Sequence, residues 1–208
     1  MKKFTEYIGS QFGNPRGIIG KCCCLIMNTI NQKMYKSLIS CIRLNEQSRL
    51  LDIGYGNGYL IQQIYKKYST DICGIDISKD MKELATKQNL KGIEDGKIQL
   101  SIGNCCNLEY KDNSFDIVTS INTIYFWDDT TKGLSEIFRV LKPEGIFYNV
   151  VYSKEWLQKL SYTKEFQLFD KENLILLGEK VGFSEITIED IVNGKSYLVQ
   201  YRKNDFTE

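Results

Sequence analysis

Histidine is absent from this chain of 208 residues, so the commonest general base and the commonest metal-binding side chain are both missing. An excess of one charge is missing too, since 27 basic residues are matched by 26 acidic residues and the net charge is +1. Proteins that bind nucleic acid concentrate positive charge on one face. The composition therefore argues against a nucleic-acid partner.

Long apolar runs are lacking as well. The longest candidate, near Cys22–Met27, is much shorter than the ~18 residues of a membrane span, and residues 1–6 show no secretory signal. The seven cysteines include no C-x-x-C pair, so we expect reduced thiols in a cytoplasmic protein with no membrane contact and no bound metal. The run Cys22-Cys23-Cys24 does not change this expectation, because three successive helical residues point about 100° apart.

The rest of the chain alternates between two apolar periodicities, which predicts an α/β fold. Runs rich in Ile, Leu, Val and Phe predict strands at 49–53, 71–75, 97–102, 115–120, 145–151, 184–190 and 195–202. Between the strands, apolar residues recur at helical spacing, which predicts helices at about 58–67, 78–88, 131–140 and 171–181. This order predicts a doubly wound, Rossmann-like sheet of seven strands, mostly parallel with an antiparallel last strand after the Asn193-Gly194 hairpin. The segment Lys142-Pro143-Glu144-Gly145 predicts a type I turn before the fifth strand.

The first 44 residues are predicted to lie outside this sheet. Residues 10–20 have the composition of a loop, and apolar residues then recur at helical spacing, which predicts one helix over 18–43. We therefore divide the chain into an N-terminal loop and helical lid, 1–44, and an α/β domain, 45–208.

A glycine loop joins the first predicted strand to the first helix of the sheet. After Asp52-Ile53 the chain runs Gly54-Tyr55-Gly56-Asn57-Gly58, with three alternating glycines. Glycine permits positive φ and lets a ligand lie against the backbone, and the helix N-terminus that follows favours an anion. The dinucleotide fingerprint G-x-G-x-x-G would place its third glycine at Tyr59, so this chain departs from that fingerprint.

Asp76 ends the second predicted strand, eighteen residues after Gly58. An acidic residue at this place in an α/β sheet accepts the hydroxyl groups of a ribose. A carboxylate that ends an apolar strand is costly to bury without a partner, which favours ligand binding over a purely local role beside Ser78.

Several motifs in order resemble those of class I S-adenosylmethionine-dependent methyltransferases, above all the small type 11 and quinone-biosynthesis groups. They are the glycine loop, the strand that ends at Asp76, the segment Gly103-Asn104-Cys105-Cys106, and two later segments at 112–118 and 136–145. The resemblance implies an enzyme that binds S-adenosyl-L-methionine and releases S-adenosyl-L-homocysteine. Its implied reaction is methyl transfer to a small-molecule acceptor by in-line SN2 displacement.

The resemblance also implies which residues bind the cofactor. Asp52 is expected to bind the methionine ammonium, the glycine loop the carboxylate, and Asp76 the ribose. Asn104, in place of the usual Asp, is expected to bind the adenine amino group, with Ile77 covering the ring. The full set carried over is Asp52, Gly54, Tyr55, Gly56, Asn57, Gly58, Asp76, Ile77, Met81, Asn104, Cys105 and Ser120.

The acceptor is expected to bind after the fourth strand, where the family's loop faces the transferred methyl group. Asn122, Tyr125 and Trp127 are the candidate residues there, because aromatic rings hold flat apolar groups or amines. Core packing is the alternative for both rings. Arg16 is a candidate contact for an anionic acceptor. Without histidine, an amine or thiol acceptor is slightly favoured, and no catalytic residue or oligomeric state follows from the sequence.

Three other functions stay open at this point. A nucleotide-dependent oxidoreductase is disfavoured by Tyr59, at the place of the third fingerprint glycine. A regulatory protein would bind S-adenosylmethionine without catalysis. A thiol or metalloid methyltransferase would use Cys105 or Cys106, although small buried thiols are commoner than reactive ones.

Overall fold

The computed structural model describes residues 27–204, and the structural statements below concern these residues. Seven strands form one sheet in the order β3-β2-β1-β4-β5-β7-β6. Strands β1 to β5 run parallel, while β7 is antiparallel to both of its neighbours. The strands are β1 (Arg49–Ile53), β2 (Asp71–Asp76), β3 (Ile98–Ile102), β4 (Phe115–Ile121), β5 (Leu141–Tyr152), β6 (Glu185–Val192) and β7 (Ser196–Arg202).

Helices cover the sheet and connect its strands. They are α1 (Gln32–Cys41), α2 (Tyr59–Tyr68), α3 (Lys79–Gln88), α4 (Leu90–Glu94), α5 (Thr130–Val140), α6 (Lys154–Leu157) and α7 (Lys171–Val181), with a 3₁₀ turn at Ile124–Phe126. None of these helices combines the length and the apolar character that crossing a bilayer would require. The predicted α/β fold is confirmed.

The strand order reverses at β1, and this reversal positions the site. From β1 the chain crosses to β2 and β3 on one side and later to β4 and β5 on the other. Parallel α/β sheets bind ligands beyond the carboxyl ends of the strands at such a reversal. The same edge carries the glycine loop after β1, Asp76 at the end of β2 and the loop after β4.

Two of the helices have caps formed by residues close in sequence. The Ser78 side chain accepts a hydrogen bond from the backbone of Met81 at the start of α3. Asp170 and Asn173 form a capping box at the start of α7, and Gly182 ends that helix with φ of 112°. These caps satisfy backbone groups that the helix itself leaves unpaired.

The single helix predicted over 18–43 was wrong within the part that the structure describes. Residues 27–30 are helical, Asn31 forms a turn, and α1 then ends at Cys41. The Asn31 side chain accepts a hydrogen bond from the Tyr152 hydroxyl at 2.7 Å, which ties the turn to the end of β5. Residues 18–26, with the cysteine run, and Arg16 lie outside the described residues.

The predicted type I turn before β5 was also wrong. Residues 142–145 already belong to β5, which pairs with β4 through an irregularity in register. Glu144 has φ of 63°, whereas a type I turn has negative φ at its third residue. The backbone N–H of Glu144 donates to the carbonyl oxygen of Lys203 at 2.7 Å, so pairing with the chain beyond β7 shapes this segment.

Candidate functional site

A cavity of about 540 Å³ opens at the carboxyl edge of the sheet, which is within the usual range of small-molecule sites. One end is formed by the glycine loop, the end of β2 and residues 103–105. The middle is formed by the loop after β4 and by helical residues near the start of the described chain. The opposite end, which we call the far wall, comprises Tyr152, Trp156, Tyr162, Phe166 and Lys195.

Two glycines of the loop are required by close approaches of other elements. A Cβ atom on Gly54 would lie 2.3 Å from the Thr123 side chain, and one on Gly58 would lie 2.9 Å from the Cβ of Ala85. Both glycines have positive φ, of 69° and 79°. Gly54 thus lets the loop after β4 reach the end of β1, and Gly58 lets α3 pack against the start of α2.

Asp76 is buried and links the second strand to the glycine loop. One carboxylate oxygen accepts the backbone N–H of Gly56 at 2.9 Å, and the other accepts that of Ser78 at 2.8 Å. Burial raises the pKa of Asp76 to about 6, against the opposing effect of these backbone donors. Because each oxygen has two lone pairs, the carboxylate retains acceptor capacity toward the cavity.

Asp52 is the second buried carboxylate at this end. It is 3% exposed, and its Oδ1 accepts the Thr119 hydroxyl at 2.8 Å. Burial raises the pKa of Asp52 to about 7, with a smaller contribution from the nearby charge of Asp76. A cation placed between these two groups would favour their ionised forms, so this end of the cavity is suited to a positively charged ligand.

Asn104 is held by two hydrogen bonds that fix its orientation. Its Oδ1 accepts the backbone N–H of Cys106, and its Nδ2 donates to Oδ2 of Asp128, both at 2.9 Å. A backbone N–H only donates and a carboxylate only accepts, so the amide has one consistent orientation. Asp128 thereby brings a carboxylate to the cavity beside the residue that stands where the family has Asp.

Cys105 lies in an environment that opposes thiolate formation. The side chains of Cys105 and Cys106 are both buried, and burial raises the pKa of the Cys105 thiol. The Cys106 thiol donates to the carbonyl oxygen of Asp129 at 3.3 Å. A reactive cysteine needs the opposite shift, toward the thiolate.

The loop after β4 is held by contacts within itself and with the end of β5. The Tyr125 hydroxyl accepts the backbone N–H of Tyr152 at 2.6 Å, and the Trp127 indole donates to the Thr123 hydroxyl at 3.1 Å. Asn122 has φ of 58°. These side chains line the cavity, but their polar atoms are already engaged, so they give the wall its shape.

The structure brings most of the predicted residues to this cavity. Ten of the twelve cofactor candidates line it, as do Asn122, Tyr125 and Trp127. Gly58 and Ser120 lie behind the wall, where Gly58 packs on α3 and the Ser120 hydroxyl is bonded to Thr123. The binding roles of all these residues stay predictions.

Sequence reasoning missed the far wall, Asp128 and the contribution of Asn28, Asn31 and Tyr35. Asp128 directly follows Trp127 in a loop that was already a candidate, and that adjacency was a usable signal. Lys195 follows the hairpin dipeptide Asn193-Gly194, but no motif marked it.

Residues 51–149 match the family described as methyltransferase domain. The uncharacterized methyltransferase YdaC of Bacillus subtilis is 28% identical over 165 residues, which cover 79% of this chain and 87% of YdaC. The ubiquinone/menaquinone biosynthesis C-methyltransferase UbiE of Geobacter sulfurreducens is 32% identical over 118 residues, 56% of this chain and 46% of UbiE. The chain thus spans most of YdaC but about half of that UbiE.

Solved structures agree with the fold. Phosphoethanolamine N-methyltransferase 2 of Haemonchus contortus, in complex with phosphomonomethylethanolamine and S-adenosylhomocysteine, has a TM-score of 0.72 at 22% identity, over 84% of this chain and 53% of that one. The [4+2]-cyclase SpnF has a TM-score of 0.73 at 18% identity, over 83% of this chain and 81% of SpnF. The domain match and the relatives together show that residues 51–149 form a methyltransferase domain of the class I S-adenosylmethionine-dependent type 11 group.

Proposed function

We propose that this protein transfers the methyl group of S-adenosylmethionine to a small organic acceptor, and not to a nucleic acid. The observation that carries the proposal is the buried Asp76 carboxylate, which joins the glycine loop to β2 at the wall of the cavity. The near-neutral charge of the chain supports a small acceptor. The sulfonium cofactor supplies an activated methyl group for in-line SN2 displacement.

The residues at this end of the cavity fit the cofactor chemically. Asp76 has lone pairs left for the two ribose hydroxyls, and the positively polarised start of α2 suits the methionine carboxylate. Asp52 is placed to balance the ammonium. Ile77, which is 48% exposed beside the cavity, offers an apolar surface for the adenine ring.

At the adenine end, Asn104 and Asp128 act together in this proposal. Asn104 holds Asp128 through its amide N–H, and the free carboxylate oxygen of Asp128 is available to accept from the adenine amino group. The pair thereby supplies the negative charge that Asn104 alone lacks.

The chain's contribution to transfer is positioning in a dry site. The loop after β4 and the far wall surround the space next to the glycine loop with largely apolar side chains. The carboxylates that line the cavity are Asp52, Asp76 and Asp128, all assigned to the cofactor. This favours an acceptor, such as an amine or a thiol, that needs little help from a base.

We also propose that the segment 1–44 covers the site as a lid, with 45–208 as the catalytic domain. Asn28, Asn31 and Tyr35 contribute to the cavity wall, and a hydrogen bond joins Asn31 to Tyr152 of the far wall.

Calorimetric titration tests the cofactor assignments. S-Adenosylhomocysteine should bind and NADH should not, and Asp76→Ala should weaken binding by about 1–3 kcal/mol because charge-assisted hydrogen bonds are lost. Asp71→Ala is the matched control, since Asp71 begins the same strand and faces Lys97. Unchanged affinity in Asp76→Ala would contradict the ribose assignment.

A product assay tests the reaction. S-Adenosylhomocysteine formation should appear with at least one class among amines, thiols, phenols and quinones. Tight cofactor binding with no product from any class would favour a regulatory protein. Loss of activity in Cys105→Ser or Cys106→Ser, at unchanged cofactor affinity, would favour thiol or metalloid chemistry.

A further inference from the structure

Lys195 differs from the other residues of the cavity wall in its charge. Among the described residues that line the cavity, it is the single basic one. Its ammonium lies 4.3 Å from the Trp156 ring centre and 5.8 Å from that of Tyr152. The ion pairs found between residues 27 and 204 do not include it.

Backbone contacts hold Lys195 in the far wall. Its carbonyl oxygen accepts the N–H of Ser153 at 2.8 Å, and the Ser153 hydroxyl donates to the carbonyl of Gly194 at 3.1 Å. The hairpin is thereby fastened to the end of β5, and the lysine is carried on an anchored loop.

The cavity is therefore polarised along its length. The three carboxylates lie at the end formed by β1, β2 and the segment after β3, while the ammonium lies beside β5 and β7. Neighbouring strands are about 4.8 Å apart, so β7 lies roughly 10 Å from β4. The cavity extends across this interval, because residues of the loop after β4 and Lys195 both line it.

We propose that Lys195, with Trp156 and Tyr152, binds an anionic group of the methyl acceptor, a carboxylate or a phosphate. The aromatic rings shield one side of the ammonium and contact the apolar body of the acceptor, while the ammonium binds its charge. A cationic acceptor that carries no anionic group is disfavoured by the same lysine. This proposal rests on the proposed function, since it places the acceptor beside the cofactor.

Titrations of matched ligands test the proposal. Phenyl phosphate, benzoate, benzyl alcohol and benzylamine share one ring and differ in charge, and each is titrated calorimetrically into protein saturated with S-adenosylhomocysteine. At least one of the two anions should bind about tenfold or more tightly than benzyl alcohol, and benzylamine should bind no better than the alcohol. The two anion arms distinguish a phosphate site from a carboxylate site.

Variants of the lysine provide the decisive comparison. Lys195→Ala should remove the preference for the anion, and Lys195→Arg should retain it. Lys67→Ala is the matched control, because Lys67 also lies over a ring, that of Tyr68 at 4.8 Å, but outside the cavity. Unchanged affinity for S-adenosylhomocysteine in each variant shows that the fold is intact.

Three results would overturn the proposal. They are equal or tighter binding of the neutral or cationic ligand, an anion preference that survives in Lys195→Ala, and no binding of any of the four ligands. Failure of the proposed function is a separate outcome, seen as no binding of S-adenosylhomocysteine or as no product in the acceptor assay.

Discussion

Replacing Asp52 with Asn should stabilise the ligand-free protein while weakening its cofactor binding. Burial raises the pKa of Asp52 from 3.8 to about 7, so ionisation is opposed in the folded state. A shift of about three units corresponds to roughly 4 kcal/mol, as an upper value for the cost of the ionised group. An asparagine carries no charge, and its amide oxygen can still accept the Thr119 hydroxyl.

The gain in stability expected for Asp52→Asn depends on pH. The folded-state pKa lies above the unfolded one, so the cost is absent below about pH 4, grows as the pH rises, and is complete above pH 7. Urea unfolding without ligand should therefore show Asp52→Asn more stable than wild type at pH 8, by up to about 4 kcal/mol. The difference should shrink to about 1 kcal/mol near pH 4.5 and approach zero below pH 4.

Cofactor affinity should change in the opposite direction to stability. S-Adenosylmethionine is cationic at its sulfonium and ammonium groups, so loss of the Asp52 charge should weaken its binding at pH 8. Asp71→Asn is the control, because it loses a surface ion pair with Lys97 and should cost at most about 1 kcal/mol at any pH. A variant that is less stable than wild type at pH 8, or a gain that is independent of pH, would refute the reasoning.

Three further predictions concern the same end of the cavity. Affinity for S-adenosylmethionine should rise between pH 5 and pH 8, as Asp76 and Asp52 lose protons with pKa values of about 6 and about 7, and a flat calorimetric profile would contradict this. Gly58→Ala should lower the free energy of unfolding by about 1–2 kcal/mol more than Gly56→Ala, because a Cβ at Gly58 meets Ala85 and one at Gly56 meets nothing within 4 Å. Similar melting temperatures of the two variants would contradict this prediction, since α3 would then have moved to accommodate the added Cβ atom. Asp128→Asn should weaken S-adenosylhomocysteine binding by about 1 kcal/mol, and unchanged affinity in calorimetry would exclude Asp128 as the adenine acceptor.

The sequence predicted the sheet well because its signals are local. The apolar runs and the Asn193-Gly194 hairpin each depend on a few neighbouring residues. The glycine loop and Asp76 were identifiable for the same reason, since each ends a strand of the parallel sheet.

The errors arose where distant segments decide the conformation. The break at Asn31 depends on Tyr152, which is 121 residues away, and the shape of the segment at Glu144 depends on Lys203. The far wall was missed because the end of β5 and the hairpin before β7 meet only through sheet pairing. The close approach of Gly58 to Ala85 is likewise a tertiary contact that no local motif encodes.

The antiparallel pairing of β5 and β7 brings residues from outside the matched family segment, such as Lys195, to the cavity. The segment matched by the family model, 51–149, ends before Tyr152, so the far wall, with the proposed anion site at Lys195, lies outside the matched segment. If Lys195 binds the acceptor as proposed, a change in the hairpin would alter acceptor choice and leave the proposed cofactor residues in place. Relatives named for one acceptor should accordingly be poor guides to the acceptor of another.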